Sequence, residues 1–183
     1  RLSASQIETL IRDPYTIYAR HVLKLEPLDP LMVTFDPRTY GSGIHLALER
    51  FERQGGGSAD DLFAEIQSCL ATSGLTPRMQ LERLPLLKDV AETYAAFRHE
   101  RTRETTKRFT EIRGEMMLPL ADSLFKLSGT ADLLQIDGLN ASIIDFKTGK
   151  SSSKKTVESG LDPQLIVLAL LAESGGMKDL PPL

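Results

Sequence analysis

Charged residues interrupt two strand-like stretches, GTAD at 129–132 and SIIDFKTGK at 142–150, leaving Asp132, Asp145 and Lys147 where apolar residues would be expected. Strand side chains alternate, so Asp145 and Lys147 point to one side while Ile144 and Phe146 point to the other. Between the stretches lies Asp137-Gly138-Leu139-Asn140, a turn signal. If that four-residue loop closes a hairpin, Ile136 pairs with Ala141, Leu134 with Ile143, and Asp132 with Asp145. Opposed residues share a face with Cβ atoms roughly 4.5–5.5 Å apart, and like charges so placed destabilise a sheet. A nearby cation or a raised carboxyl pKa must compensate. A divalent metal meets that need economically, and carboxylate oxygens suit Mg²⁺ or Mn²⁺. The plain alternative is a surface hairpin in which Lys147 forms a salt bridge to either acid. Gly129 is expected to form a bulge that re-aims Asp132.

Several elements must position these groups. Ser3-x-x-Gln6 reads as a capping box for a short helix with Ile7, Leu10 and Ile11 inward, and Asp13-Pro14 ends it and starts another through Tyr18. Residues 26–40, with Pro27, Pro30 and Pro37, read as a loop. Gly41-Ser42-Gly43 opens a helix with the apolar stripe Ile44, Ala47, Leu48 and Phe51, closed by Gly55-Gly56-Gly57. Helices near 59–72 and 80–104 follow. The period then changes from 3.6 to 2, with Ile112, Met116 and Leu118 on one face and Glu111, Arg113 and Glu115 on the other. Strands at about 124–136 and 141–147 complete the hairpin. Asp162-Pro163 caps a helix through about Glu173 that is apolar nearly all round and is expected to be buried.

Composition narrows the function classes. The 183 residues suit one domain, and 41% hydrophobic with 26% charged residues is the composition of a soluble globular protein. No apolar run approaches the roughly 20 residues of a membrane span, and no signal pattern opens the chain, so it reads as cytoplasmic. The lone Cys69 falls at helical spacing with Leu62, Ile66 and Leu70, the place of a small core residue. A net charge of -3 gives no global case for nucleic acid. Locally, residues 98–113 hold six Lys/Arg against three Glu, which taken alone reads as a solvated face. The chain starts without methionine and ends at Leu-Pro-Pro-Leu, so it reads as a piece of something longer.

GTAD at 129–132 followed by IIDFKTGK at 143–150 resembles the PD-(D/E)XK nuclease signature in the form used by RecB-like exonucleases, with Asp132 at the first acidic position and Asp145-x-Lys147 as the tripeptide. GSGIHLALERF at 41–51 is similar to the family's upstream helical motif, with His45 at its histidine, and PQLIVLALLAE at 163–173 resembles its Q-x-x-x-Y helix, with Gln164 at the glutamine. LSASQIETLIRDPYTIYARHVLKL at 2–25 looks like the opening segment, most of all that of the C-terminal nuclease domain of AddB-type subunits. The motifs depart from the family at Leu168, where the tyrosine would stand. Members with an iron–sulfur cluster carry cysteine where Asp13 stands and three more beyond the last helix, so no cluster is expected.

The resemblance implies an α/β restriction-endonuclease-like core, a mixed β-sheet flanked by helices with an α-rich N-terminal half, spanning 1–183 as a single nuclease domain of a larger protein. It implies that His45, Asp132, Asp145 and the Phe146 carbonyl ligate Mg²⁺ or Mn²⁺. Glu115 is a further candidate, with a plain surface glutamate as the alternative. Histidines 21 and 99 have no comparable context. Lys147 would orient water or stabilise transition-state charge, and Gln164 would position a phosphate or base. Arg101, Arg103, Lys107, Arg108, Lys150, Lys154 and Lys155 would make non-specific DNA backbone contacts. The expected activity is metal-dependent DNA hydrolysis, exonucleolytic, in double-strand-break repair and recombination, beside a helicase portion or partner subunit and with no membrane. Two rivals stand: a nuclease-fold module without activity, used for DNA binding or docking, and an α/β interaction domain whose D-x-K is accidental.

Overall fold

The computed structural model describes residues 1–28, 37–72, 76–103, 106–120, 122–138, 140–149, 151–178 and 180. In chain order the elements are β1 (Leu2–Ser3), α1 (Ala4–Arg12), α2 (Pro14–His21), α3 (Pro37–Arg53), α4 (Ala59–Thr72), α5 (Pro77–Arg101), β2 (Lys107–Leu120), β3 (Ser123–Asp137), β4 (Asn140–Ile144), α6 (Lys154–Glu158) and α7 (Gln164–Glu173). The expected α-rich first half and mixed sheet flanked by helices are both present. Among the described residues no helix is long and apolar enough to cross a membrane.

β3 is the central strand. β2 pairs antiparallel along nearly its whole length, and the opposite edge carries β1 in parallel at Leu127–Ser128 and β4 antiparallel at Leu133–Asp137. Among the described residues that edge is unpaired between the two, at residues 129–132, where the acidic motif lies. The β3–β4 register is the expected one, extended by the pair Asp137↔Asn140, and Gly138 turns the chain at φ +62.

Helices pack on both faces. α7 and α1 cover one face, with Val167, Leu168, Leu171 and Ala4 against Leu127 and Ala131. α3, α4 and α5 form the second core, where Leu62, Ile66, Cys69 and Leu70 are buried as expected, and Phe146 packs against it from the site. The capping box of α1 is formed, with Ser3 N–H donating to Gln6 Oε1 at 2.9 Å and Gln6 N–H to Ser3 Oγ at 3.3 Å.

Several expectations give way to tertiary packing. Leu10 and Ile11 are exposed, and Ile7 is the residue of that stripe that meets the core. α3 begins at Pro37, tolerated in a first turn, so Gly41 and Gly43 lie inside the helix. There a Cβ would stand 3.0 Å from Thr148 Oγ1 and 2.8 Å from Leu70 Cδ2, so both glycines permit close neighbours. The remaining part of the expected 26–40 loop, residues 29–36, lies outside the described residues. α7 is buried on one side only, since Leu165, Ile166 and Leu170 are exposed, and no side chain caps its start.

Gly129 does not form a bulge: it pairs with Gly114 in an unbroken register. Its missing side chain instead admits α7, because a Cβ there would come within 2.7 Å of Leu168 Cδ2. The distortion sits three residues on. The β2–β3 ladder omits the pair Glu111↔Asp132, and Glu111 has φ +52. No residue is inserted, yet the alternation breaks. Ile112 packs on the α7 side, whereas Thr110 accepts from Arg53 of α3 at 3.3 Å and Glu111 faces His45 and Glu49 of the same helix. Two consecutive residues thus face α3, which a regular strand forbids.

A buried ion network fastens β2 to the second core. Glu52 of α3, with its side chain 1% exposed, takes Arg108 Nε at 2.8 Å and Nη2 at 2.9 Å, Arg98 Nε at 3.3 Å and Tyr94 Oη at 2.6 Å. Burial opposes ionisation of Glu52, but the hydrogen bonds from Arg108 and Tyr94 and the two guanidinium charges outweigh it and hold its pKa below the ordinary glutamate value. The expected outcome for Glu52→Ala is a loss of about 3–5 kcal/mol in denaturant unfolding, because Arg108 is left buried and unpaired. Glu52→Leu combined with Arg108→Leu should recover much of it. In the wild type this contribution is present above the unfolded glutamate pKa and fades as pH falls through the lower folded value.

Candidate active site

The carboxylates meet where the hairpin ladder runs out. β3–β4 pairing stops at Leu133↔Ile144, so the next step in register is Asp132 beside Asp145. In place of a further ladder bond, Phe146 N–H donates to Asp132 Oδ2 at 2.6 Å. The Phe146 ring makes an edge contact with Tyr94 at 5.5 Å and with His45 at 6.0 Å, anchoring this segment to the second core.

Asp145, with its side chain 9% exposed, sits in a closed ring of polar contacts. Its Oδ2 takes Lys147 Nζ at 2.7 Å, its Oδ1 accepts from Gln164 Nε2 at 2.6 Å, and Lys147 Nζ also donates to Gln164 Oε1 at 2.9 Å. Gln164 is the first residue of α7, so the packing of that helix on Gly129 sets where its amide reaches. β4 ends at Ile144, short of the expected 147, so Asp145 and Lys147 lie past the strand, and their ion pair is what holds them together. Leu168, in the motif's tyrosine place, is fully buried over Gly129 and points into the core.

His45 stands on the same helix as Glu52, and its Nδ1 lies 3.6 Å from Asp132 Oδ2. The Asp132 carboxylate raises the imidazole pKa against the opposing effect of burial. Burial and the charge of Asp132 push the Asp145 carboxyl up, with Lys147 acting the other way. Glu111 is likewise raised, by burial first and then by Asp132 and Glu49. Negative charge is therefore in excess here.

Glu111 and Glu49 are the residues that sequence reasoning left out. They border an opening of about 620 Å³ with His45 and Thr148. Glu49 follows His45 by four residues, one helical turn, which is a legible signal; the non-glycine positive φ that aims Glu111 has none. Glu115 is placed elsewhere, exposed and paired with Lys126 at 2.6 Å.

The expected DNA-contacting cations scatter. Arg108 is 7% exposed and committed to Glu52 and Gln135, so it holds the fold and offers nothing to a phosphate. Arg101 lies over the Phe97 ring at 4.8 Å, and Arg103 is 3.5 Å from Asp137. Lys107 is exposed opposite Ile136, Lys154 pairs with Glu158 at 3.6 Å, and Lys155 is exposed beside it. Lys150 lies outside the described residues.

Among the described residues no three His, Cys, Asp or Glu side chains close on a common point. Both oxygens of Asp145 are turned on Lys147 and Gln164. The carboxylates of Asp132, Asp145 and Glu111 nevertheless have the oxygen-donor chemistry that Mg²⁺ or Mn²⁺ takes, and the imidazole of His45 favours the softer Mn²⁺ of the two.

The chain is 33% identical over 184 residues to an uncharacterized protein of Rickettsia bellii, covering 96% of this chain and 22% of that protein. It is 30% identical over 189 residues to an uncharacterized protein of Rickettsia felis, again 96% of this chain and 22% of the relative, and to one of Rickettsia typhi at the same identity, with 21% of that protein covered. It thus spans about a fifth of the length of these relatives. Residues 1–182 match the family model of the PD-(D/E)XK nuclease superfamily, and with Asp132, Asp145-x-Lys147, His45 and Gln164 gathered at one sheet edge, the chain belongs to that superfamily.

Proposed function

We propose that the chain is a metal-dependent DNA nuclease domain, hydrolysing phosphodiester bonds exonucleolytically as a module of a larger repair and recombination machine with a helicase portion or partner. The observation that carries this reading is the ring of Asp145, Lys147 and Gln164 beside Asp132 and His45. The module reading draws on the fraction of the relatives that the chain spans. Asp132, Asp145, His45 and the Phe146 carbonyl would hold Mg²⁺ or Mn²⁺. When bound, such an ion supplies positive charge against the phosphate and lowers the pKa of a water.

The protein's own groups do the rest. Phe146 N–H fixes the orientation of Asp132, and Gln164 hydrogen-bonds both Asp145 and Lys147. Lys147, 43% exposed at its side chain, presents an ammonium to solvent from the edge of the acidic cluster. There it can hydrogen-bond a water or a phosphate oxygen as charge develops. Burial of Asp145 limits competing water, which strengthens these contacts.

Incubating the protein with end-labelled DNA and Mn²⁺ tests the reading: cleavage is expected, binding without cleavage would favour a DNA-docking module, and neither would contradict a nucleic-acid role. Lys147→Ala should keep oligonucleotide binding yet lose cleavage by at least about a hundredfold, because it removes transition-state help and no proposed ligand. Calorimetry showing Mn²⁺ binding lost in that variant would contradict the assignment. With an imidazole among the donors, half-maximal cleavage should need less Mn²⁺ than Mg²⁺, and His45→Ala should narrow the gap. Equal requirements in the wild type would rule this out.

A further inference from the structure

Gln164 also borders a second opening, one that His45 does not line. A pocket of about 490 Å³ lies against the open edge of β3, and its lining includes Arg1, Arg113, Ser5, Ser128, Thr130 and Gln164. Arg113 is exposed, and its guanidinium makes no hydrogen bond or ion pair among the described residues. The hydroxyls of Ser128 and Thr130 are likewise uncommitted among those residues. One acid, Glu115, borders the pocket, but Lys126 neutralises it at 2.6 Å. The pocket therefore offers cationic and hydroxyl donors with no free acid, against the acidic excess around Asp132.

Its position follows from the sheet register. Arg113 pairs with Thr130, two residues before Asp132 on β3, and the ladder omits the pair that Glu111 and Asp132 would make. Cross-strand partners share a face, so Arg113 lies beside Thr130, which is one two-residue step from Asp132, about 6.7 Å along β3. That is the scale of the step between neighbouring phosphates of one nucleic-acid strand. Gln164 joins the two places, since its amide is bonded into the Asp145–Lys147 ring while it borders the pocket.

We propose that this pocket holds a backbone phosphate of the bound strand next to the one at the Asp132–Asp145 site, with Arg113 as its main cation. Resting on the nuclease reading, it sets the path of the strand: across Gln164 and along the β2–β3 face toward Ser128. A phosphate contact of this kind fixes register and carries no sequence choice.

Fluorescence anisotropy of a labelled single-stranded oligonucleotide, titrated in chelator at several salt concentrations, tests it. Arg113→Ala should weaken binding roughly five- to tenfold and reduce the salt slope by about 1. Arg113→Lys should keep the slope, and Arg78→Ala, an exposed cation on α5, should change neither. Unaltered affinity and slope in Arg113→Ala, with the wild type binding and cleaving DNA, would overturn the subsite alone. A wild type that binds no oligonucleotide would overturn the subsite and the nuclease reading together. Inorganic phosphate binding that depends on Arg113 while oligonucleotide binding does not would assign the pocket to a free anion and overturn the strand path. An equal loss on Arg78→Ala would show a diffuse charge effect and would also overturn it.

Discussion

A break in side-chain alternation where Glu111 meets Asp132 organises the rest of the molecule. On the β1 side of the break, the hairpin turns its apolar residues to α7 and α1; on the other, Arg108 and Thr110 reach α3. The positive φ of Glu111 is costly for a non-glycine residue, of order 1–3 kcal/mol, and such strain persists only where surrounding structure over-determines it. Here the over-determination is visible: the Glu52–Arg108 network pins the strand on one side of the break, and the close approach of α7 at Gly129 pins it on the other. Two well-packed cores hold a strained point between them, and the acids are displayed at that point.

The same geometry explains the local charge balance. Asp132, Asp145 and Glu111 lie near His45, Lys147 pairs with Asp145 and Arg53 pairs with Glu49 at 2.7 Å, and burial raises the pKa of Asp145 and Glu111. A fold selected for stability alone has little reason to gather them, whereas sites that must bind a cation keep such clusters at a cost in stability. The neighbouring pocket at Arg113 has the opposite character. Gln164, neutral and able to donate and accept, stands at the boundary.

Much of this was legible in residue order. The constant-sum pairing through Asp137–Asn140 placed Asp132 beside Asp145 because the turn is short and Gly138 can adopt its left-handed conformation. The capping box and the burial of Cys69 also follow from local rules, whereas Asp145 and Lys147 lie beyond the end of β4 and meet through their ion pair. What was not legible depends on distant partners. Arg108 looked like a phosphate contact because Glu52 is 56 residues away. Gly129 looked like a bulge because nothing local shows Leu168 arriving above it. Leu10 and Ile11 fit an amphipathic stripe, yet the sheet reaches only as far as Ile7. The turn of Glu111 is a tertiary effect with no glycine to announce it.

Thermal melting of Asp145→Asn, in chelator and in Mn²⁺, discriminates most directly between a functional carboxylate pair and a structural salt bridge. Because the folded-state pKa of Asp145 is raised, by burial and then by Asp132, its ionised form costs stability above that pKa and the cost fades as pH falls through it. Asparagine keeps the shape and removes the charge. In chelator at neutral pH the variant should be at least as stable as the wild type, and it should gain less from added Mn²⁺, since binding to the native state is what stabilises it. A clear drop of the variant in chelator, with an undiminished Mn²⁺ shift, would show that Asp145 serves Lys147 alone and would contradict the carboxylate site.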